Sequence, residues 1–259
     1  KTDGTLWGWG RNDYGQLGNN TIVNYSSPVQ CPGTTWSVAR GGSSNTFAIK
    51  TDGTLWTMGS NGLGQLAQNN RTAYSSPVQI PGTDWSTIAA SGEGLGAVKA
   101  VKSDGTMWAW GDGGGGSTGQ NNRTRYSSPV QIPGTTWSTD VKANGCGQYH
   151  QLAIKTDGTL WAWGYDQYGV LGQNEVSVHY SSPVQIPGTT WGSVMGGQTN
   201  SVATKTDGTL WTWGDGNYGS LGQNNTVHYS SPVQVPGTWG TDDYQLGNLN
   251  RDVYALRPE

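Results

Sequence analysis

Three histidines, two cysteines and seventeen acidic residues are the chain's stock of groups that could do chemistry. His150 lies in Gly147-Gln148-Tyr149-His150-Gln151-Leu152-Ala153-Ile154. At the same offset from a recurring lysine stand Asn45, Ala97 and Asn200, a set that fits a polar side chain bonding a neighbouring loop better than a general base. His179 and His228 hold matching places before Tyr180 and Tyr229, and no third ligand type recurs beside them to complete a metal site. Cys31 stands where Ile80, Ile132, Ile186 and Val235 stand elsewhere, so it reads as a small buried hydrophobe. Cys146 sits in a different part of its repeat, which argues against a disulfide between the two.

The acids are arranged for folding rather than for catalysis. Asp3, Asp52, Asp104, Asp157 and Asp207 each precede a glycine, as turn formers do. A glycosidase needs two carboxyl groups across one cleft, not five equivalent copies. Asp242 and Asp243 are adjacent, but Asp140 and Val141 are their counterparts, so only one is peculiar to its repeat. The glycine run 111–116 resembles a phosphate loop in composition alone, lacking Gly-Lys-Ser/Thr. No enzyme, metal or cofactor is expected.

What remains is a set of variable loop tips. Tyr14, Arg71, Arg123, Arg125, Tyr165, Tyr168, His179, Tyr218 and His228 occupy corresponding stretches of a loop whose frame is otherwise fixed. Tyr and Arg are favoured at binding hot spots. A rigid scaffold carrying variable loops is a binding platform. These nine residues are the candidate contact face for a partner.

The scaffold is written in repeats. Lys-Thr-Asp-Gly-Thr-Leu-Trp opens the chain and returns at Lys50, Lys102 (with Ser and Met), Lys155 and Lys205. A period near 50 residues marks a stacked or circular architecture. Asp-Gly between alternating apolar runs predicts a β-hairpin with a type I′ turn. Each period holds four apolar segments, for example Trp36-Ser37-Val38-Ala39, Phe47-Ala48-Ile49, Leu55-Trp56-Thr57-Met58 and Pro77-Val78-Gln79-Ile80. Four short strands per period is the pattern of a propeller blade, with the proline-bearing segment at its outer edge. Nine of the 14 tryptophans fall in Trp-x-Trp strands and five follow Pro-Gly-Thr, so packing between blades accounts for them all; a glycan-binding role for exposed indoles is the alternative.

The chain ends read as halves of one blade. Trp239 to Arg257 aligns with Trp137 to Lys155, so the last residues would supply two strands and Lys1 onward the other two. The expectation is one all-β domain over residues 1–259, a closed five-bladed β-propeller of four-stranded antiparallel blades with a shared terminal blade. No apolar run spans a membrane and no leader is visible. A net charge of −3 without a basic cluster argues against nucleic-acid binding.

Trp9-Gly10-Arg11-Asn12-Asp13-Tyr14-Gly15-Gln16-Leu17-Gly18 and the Gly-x-x-His-x-x-Ala-Ile at Gly147 to Ile154 together resemble the regulator of chromosome condensation repeat, over the whole chain. The resemblance implies a propeller whose best-known members have seven blades. It implies no single activity, since members include a GTPase exchange factor, β-lactamase inhibitors and many bacterial and phage proteins. The near-identical Pro-Gly-Thr-x-Trp and Ser-Ser-Pro-Val-Gln segments look most like the last group, often virion or appendage proteins. The expected role is therefore a non-enzymatic binding or structural module on a virion (capsid, tail or appendage) or cell surface. Its partner would be a protein, a cell-surface receptor or another virion component, with no nucleic acid and no membrane insertion. The alternatives are a protein inhibitor or GTPase regulator acting through one face, and a lectin. The repeat lengths leave no room for the sizeable wedge that exchange would want.

Overall fold

The computed structural model describes residues 1–90, 97–239, 246–249 and 252–255. All its extended elements are antiparallel strands: β1 (Leu6–Gly10), β2 (Tyr25–Cys31), β3 (Trp36–Gly41), β4 (Asn45–Lys50), β5 (Leu55–Gly59), β6 (Tyr74–Ile80), β7 (Trp85–Ala90), β8 (Ala97–Lys102), β9 (Met107–Gly111), β10 (Tyr126–Ile132), β11 (Asn144–Cys146), β12 (His150–Ile154), β13 (Leu160–Gly164), β14 (Tyr180–Ile186), β15 (Trp191–Gly196), β16 (Asn200–Lys205), β17 (Leu210–Gly214), β18 (Tyr229–Val235), β19 (Leu246–Leu249) and β20 (Asp252–Ala255). They form four four-stranded blades, β3 to β6, β7 to β10, β11 to β14 and β15 to β18, flanked by the two-stranded sheets β1–β2 and β19–β20. Ser-Ser-Pro lies on the outermost strand of each blade, where the missing N–H costs no ladder bond. No helix among the described residues is long and apolar enough to cross a membrane.

The Asp-Gly hairpin differs from the expected turn. Gly53 N–H donates to Lys50 O and Lys50 N–H to Thr54 O, and only the glycine has positive φ (+76°). This is a three-residue loop, a type I turn closed by a glycine bulge. Asp52 accepts from both the N–H and the hydroxyl of Thr54, and the Thr54 hydroxyl in turn accepts from the Trp56 indole. The same relay recurs at Asp3, Asp104, Asp157 and Asp207. The aspartate's preference for bonding the backbone two residues on selects this turn over the double positive-φ form.

Blades meet through the second indole of Trp-x-Trp. Trp110, Trp163 and Trp213 are wholly buried. Their N–H groups reach back to carbonyls of the preceding repeat: Gln65 (2.7 Å), Ser117 (3.0 Å) and Val170 (2.7 Å). Met58 takes this place at the first seam, against Cys31. Five apolar clusters run sheet to sheet, from Leu6–Cys31–Met58 at one end to Val202–Val235–Val253 at the other. His150 bonds Ser201 of the next blade (Nε2 to Oγ, 3.0 Å), the bridging role its repeat position suggested.

The expected closed ring is not what the described residues form. The two half-blades exist, but β1 pairs only with β2 and β20 only with β19. Trp9, at the position where Trp110, Trp163 and Trp213 are buried, is 63% exposed. Among the described residues the end strands β1 and β20 do not pair with each other. Arg257, on which the alignment of the last strand partly rested, lies outside the described residues.

Lys99 places a charge in the core. It occupies the place of Phe47, Leu152 and Val202, and is buried in the seam between the second and third blades. Its ammonium donates to Gly145 O and Leu152 O (2.6 Å each) and lies 5.2 Å from the Trp163 ring centre. Burial lowers it to about 8. The folded value is below the unfolded one, so the unfolded chain binds more protons between about pH 8 and 10.5, and stability rises across that window. Lys99→Met is expected to stabilise the protein at pH 7 by about 1–3 kcal/mol and to abolish that rise. Denaturant melts at pH 7, 9 and 10 check both. By contrast, Trp163→Ala should cost about 3–5 kcal/mol in the same melts.

Candidate functional site

The loop between the Trp-x-Trp strand and the outer strand is built the same way in each repeat. After Trp9-Gly10, Asn12 turns inward: its Oδ1 accepts from Leu17 N–H and its Nδ2 donates to Thr21 O. Asn61 does the same with Leu66 and Asn70. Farther along, Asn70, Asn122 and Asn225 each donate to the hydroxyl of the tyrosine that opens the outer strand, Tyr74, Tyr126 and Tyr229. In the fourth repeat Glu175 takes that place and accepts from Tyr180 at 2.9 Å. The frame is fixed by these polar side chains, leaving the tips free to vary.

The residue before that tyrosine clamps the loop's entrance. Asn24 accepts from Asn12 N–H (2.6 Å), His179 Nδ1 from Asp166 N–H (3.4 Å) and His228 Nδ1 from Gly216 N–H (3.0 Å). Arg125 donates instead to the Asp112 carboxylate at 2.8 Å. Asp215 Oδ1 also lies 3.2 Å from His228 Nδ1. Arg125, His179 and His228 are thus partly committed within their own loops, although the Arg125 side chain remains 48% exposed. Repeat position alone carried no sign of this, because the clamped groups lie 12 or 13 residues away.

Between these clamps the tyrosines gather. Tyr165 stacks on His179 with ring centres 4.3 Å apart, and Tyr149 meets the edge of Tyr165 at 6.1 Å. Arg123 lies close enough, together with burial of the ring, to hold His179 below its ordinary range. Tyr168, held at φ +63°, leans on His228 of the next repeat (5.0 Å). Tyr218 stands 82% exposed at φ +61°. Tyr165, Tyr168, His179, Tyr218, His228 and Arg123 therefore form one aromatic and basic run across the third to fifth repeats. Tyr149, which belongs to it, was missed because it lies in the β11–β12 turn rather than in the variable loop. Tyr14 is 44% exposed beneath Arg11 (6.0 Å) in the first repeat, and Arg71 is exposed in the second. Neither joins that run. No group of three or more His, Cys, Asp or Glu among the described residues could hold a metal ion.

Stacked four-stranded antiparallel blades, each bonded to the last through an indole, define a β-propeller repeat protein. The model of the regulator of chromosome condensation (RCC1) repeat matches residues 3–49, 52–98, 157–204 and 207–241, and a second model of that repeat matches 37–65 and 141–170. The chain belongs to the RCC1 repeat family. Among solved structures it is similar to human WBSCR16 (TM-score 0.79, 21% identity, covering 98% of this chain and 67% of that one). It is also similar to Prp20p of Saccharomyces cerevisiae (0.75, 17%, covering 92% and 63%), a structure reported with its binding properties to Gsp1p and histones. In sequence it is 31% identical over 86 residues to the RCC2 homolog of Danio rerio, covering 33% of this chain and 17% of that protein. It is 30% identical over 80 residues to the ultraviolet-B receptor UVR8 of Arabidopsis thaliana, covering 31% and 18%. The chain spans less than a fifth of these two curated relatives.

Asp166 gives the site a pH test. It sits in the slot of Asn12 and Asn61 but cannot donate, and its Oδ2 is buried without a partner. Burial raises it to about 6. The folded state then binds its proton more tightly than the unfolded one, so stability falls as pH rises from about 4 through 6. Asp166→Asn should remove that fall and gain about 1 kcal/mol at pH 7, with no gain at pH 4. Thermal melts at both values check it.

Proposed function

We propose that this chain is a non-catalytic protein-binding module whose contact face is the run of loop tips across the third to fifth repeats. The observation that carries this is the placing of Tyr149, Tyr165, Tyr168, Tyr218, His179, His228 and Arg123 on one set of loops held rigidly by buried Asn and Asp side chains. Stiff aromatic side chains lose little conformational freedom on binding and supply large contact areas. Tyr14 and Arg71 lie on the first and second repeats beside this face, and Arg125 lies within its third-repeat loop. The conserved frame gives the blades their packing; the tips give each blade its own surface.

The near-identity of the repeats favours a structural or adhesive part, a virion component or a cell-surface protein binding a receptor. A second reading, regulation of a small GTPase, draws on Prp20p with its Gsp1p binding and on the GTPase regulator homolog of Caenorhabditis elegans, 32% identical over 75 residues. Those are properties of proteins this chain matches only in part.

Affinity purification from the native source with three baits tests the reading. Wild type should retain a partner, and Tyr165→Ala with Tyr168→Ala should lose it by at least about 30-fold, the equivalent of a hot spot of about 2 kcal/mol. An Asp52→Ala, Asp104→Ala bait, altered on the hairpin tips, should keep it. Loss with the hairpin variant and retention with the loop variant would put binding on the other face. Nucleotide-exchange acceleration on a captured GTPase would favour the second reading.

A further inference from the structure

Four hairpin lysines lie over two indoles each, and Lys1 over Trp7. The ammonium of Lys50 is 4.8 and 4.5 Å from the ring centres of Trp36 and Trp56. Lys102 lies over Trp85 and Trp108, Lys155 over Trp137 and Trp161, and Lys205 over Trp191 and Trp211, all at 4.2–5.2 Å. Around Lys205 this arrangement floors a cavity of about 350 Å³, rimmed by Gln173, Asn174 and Ser231. The Asn, Trp, Lys and Ser recur at the other three seams, as Asn20, Asn69 and Asn121 and Ser76, Ser128 and Ser182, so the same side chains stand at four places.

Two donors in these grooves are underused. The buried indole N–H groups of Trp36, Trp137 and Trp191 have no partner. Lys50, Lys155 and Lys205 make no ion pair among the described residues. Both donors face the glycine of Pro-Gly: a point one Cβ from Gly188 is 3.7 Å from each, and the matching point at Gly134 is 3.4 Å from the indole nitrogen and 3.7 Å from the ammonium.

The second blade shows what suits that place. There Asp84 replaces the threonine found at Thr35, Thr136 and Thr190. Its carboxylate binds Lys102 at 3.1 Å and lies 3.3 Å from the matching point at Gly82. The chain's own carboxylate takes the ammonium of one groove, whose Trp85 indole N–H donates to Pro81 O (3.2 Å), and three grooves are left with both donors unpaired and no acid.

We propose that the three grooves lacking an internal acid, at Lys50, Lys155 and Lys205, are binding sites for a carboxylate-bearing sugar, a hexuronate. The carboxylate takes the place of Asp84 against the ammonium, a charge-assisted hydrogen bond. The half-buried indole of Trp211 or its equivalents offers an apolar, electron-rich surface to the ring's C–H groups. The rim offers acceptors for hydroxyls at Lys155 and Lys205, where Gln120 and Gln173 use Nε2 on backbone carbonyls and leave Oε1 available; at Lys50 that place is held by Asn19, whose Oδ1 accepts from Asn12 and Thr21. An acidic peptide side chain would use the ammonium but neither the indole surface nor the amide rim. The sites stand apart from the loop-tip face, so they add a multivalent glycan contact to a protein-binding module, and avidity follows from their number.

The experiment is a titration of the full chain with sodium glucuronate, followed by the indole N–H signals in nitrogen-resolved NMR. Signals of Trp36, Trp137 and Trp191 should shift saturably while that of Trp85 stays. Asp84→Thr should bring Trp85 into the responding set. Thr35→Asp, Thr136→Asp and Thr190→Asp together should silence the other three while the melting temperature holds. Glucose should bind at least tenfold more weakly. Absence of a saturable shift in folded wild type, or a response indifferent to the acid swaps, would overturn the proposal. So would equal shifts with poly-L-glutamate and none with glucuronate, which would make the grooves peptide sites.

Discussion

The bond from a buried indole N–H to a carbonyl of the preceding repeat is the constraint on which the rest depends. It occurs at Trp110, Trp163 and Trp213, at the centre of seams whose packing is mostly apolar. Apolar packing fixes how closely two sheets approach but little about their register. A directional bond at 2.7–3.0 Å fixes which residue of one blade faces which loop of the last. Leaving that N–H unpaired in the core would cost about 1–3 kcal/mol, so slipped arrangements are penalised. Because the acceptor belongs to the variable loop's own base, the same bond anchors the loop that carries the variable tip.

This explains why the tips can differ without unsettling the frame. The second, third and fourth loops are held at the base by the seam bond, in the middle by a buried Asn or Asp, and at the exit by a bond to the repeat tyrosine. What lies between is exposed and unconstrained by packing. Lys99 and Asp166 depart from the pattern inside the frame, and both carry ionisable groups whose burial works against stability. Natural folds tolerate such conflicts where the surrounding packing is strong.

Much of this was legible in the residues. The fifty-residue period, the four strands, the outer position of Ser-Ser-Pro and the bridging role of His150 all follow from spacing and side-chain chemistry. The turn type was not legible, because Asp-Gly suits both a double positive-φ turn and a type I turn with a glycine bulge; the choice rests on the Thr that follows, which Asp52 holds. Closure was not legible either. Matching half-blades at the two ends show that pairing is chemically sensible, but whether the ends meet depends on an angle accumulated over five seams. Lys99 could have been found by aligning it with Phe47, Leu152 and Val202. The loop clamps of His179 and His228 could not, since nothing in the spacing says which backbone N–H their rings will meet.

The second indole of Trp-x-Trp seals the three seams between the four-stranded blades, and among the described residues the two terminal half-blades do not pair. Hydrogen exchange of the indole N–H protons tests it directly. Trp110, Trp163 and Trp213 should exchange among the slowest protons of the molecule, while Trp9 should exchange nearly as fast as a free indole. Strong protection of Trp9 would show its seam to be sealed and the ring closed, and fast exchange at Trp163 would show that the seam bond does not hold the blades.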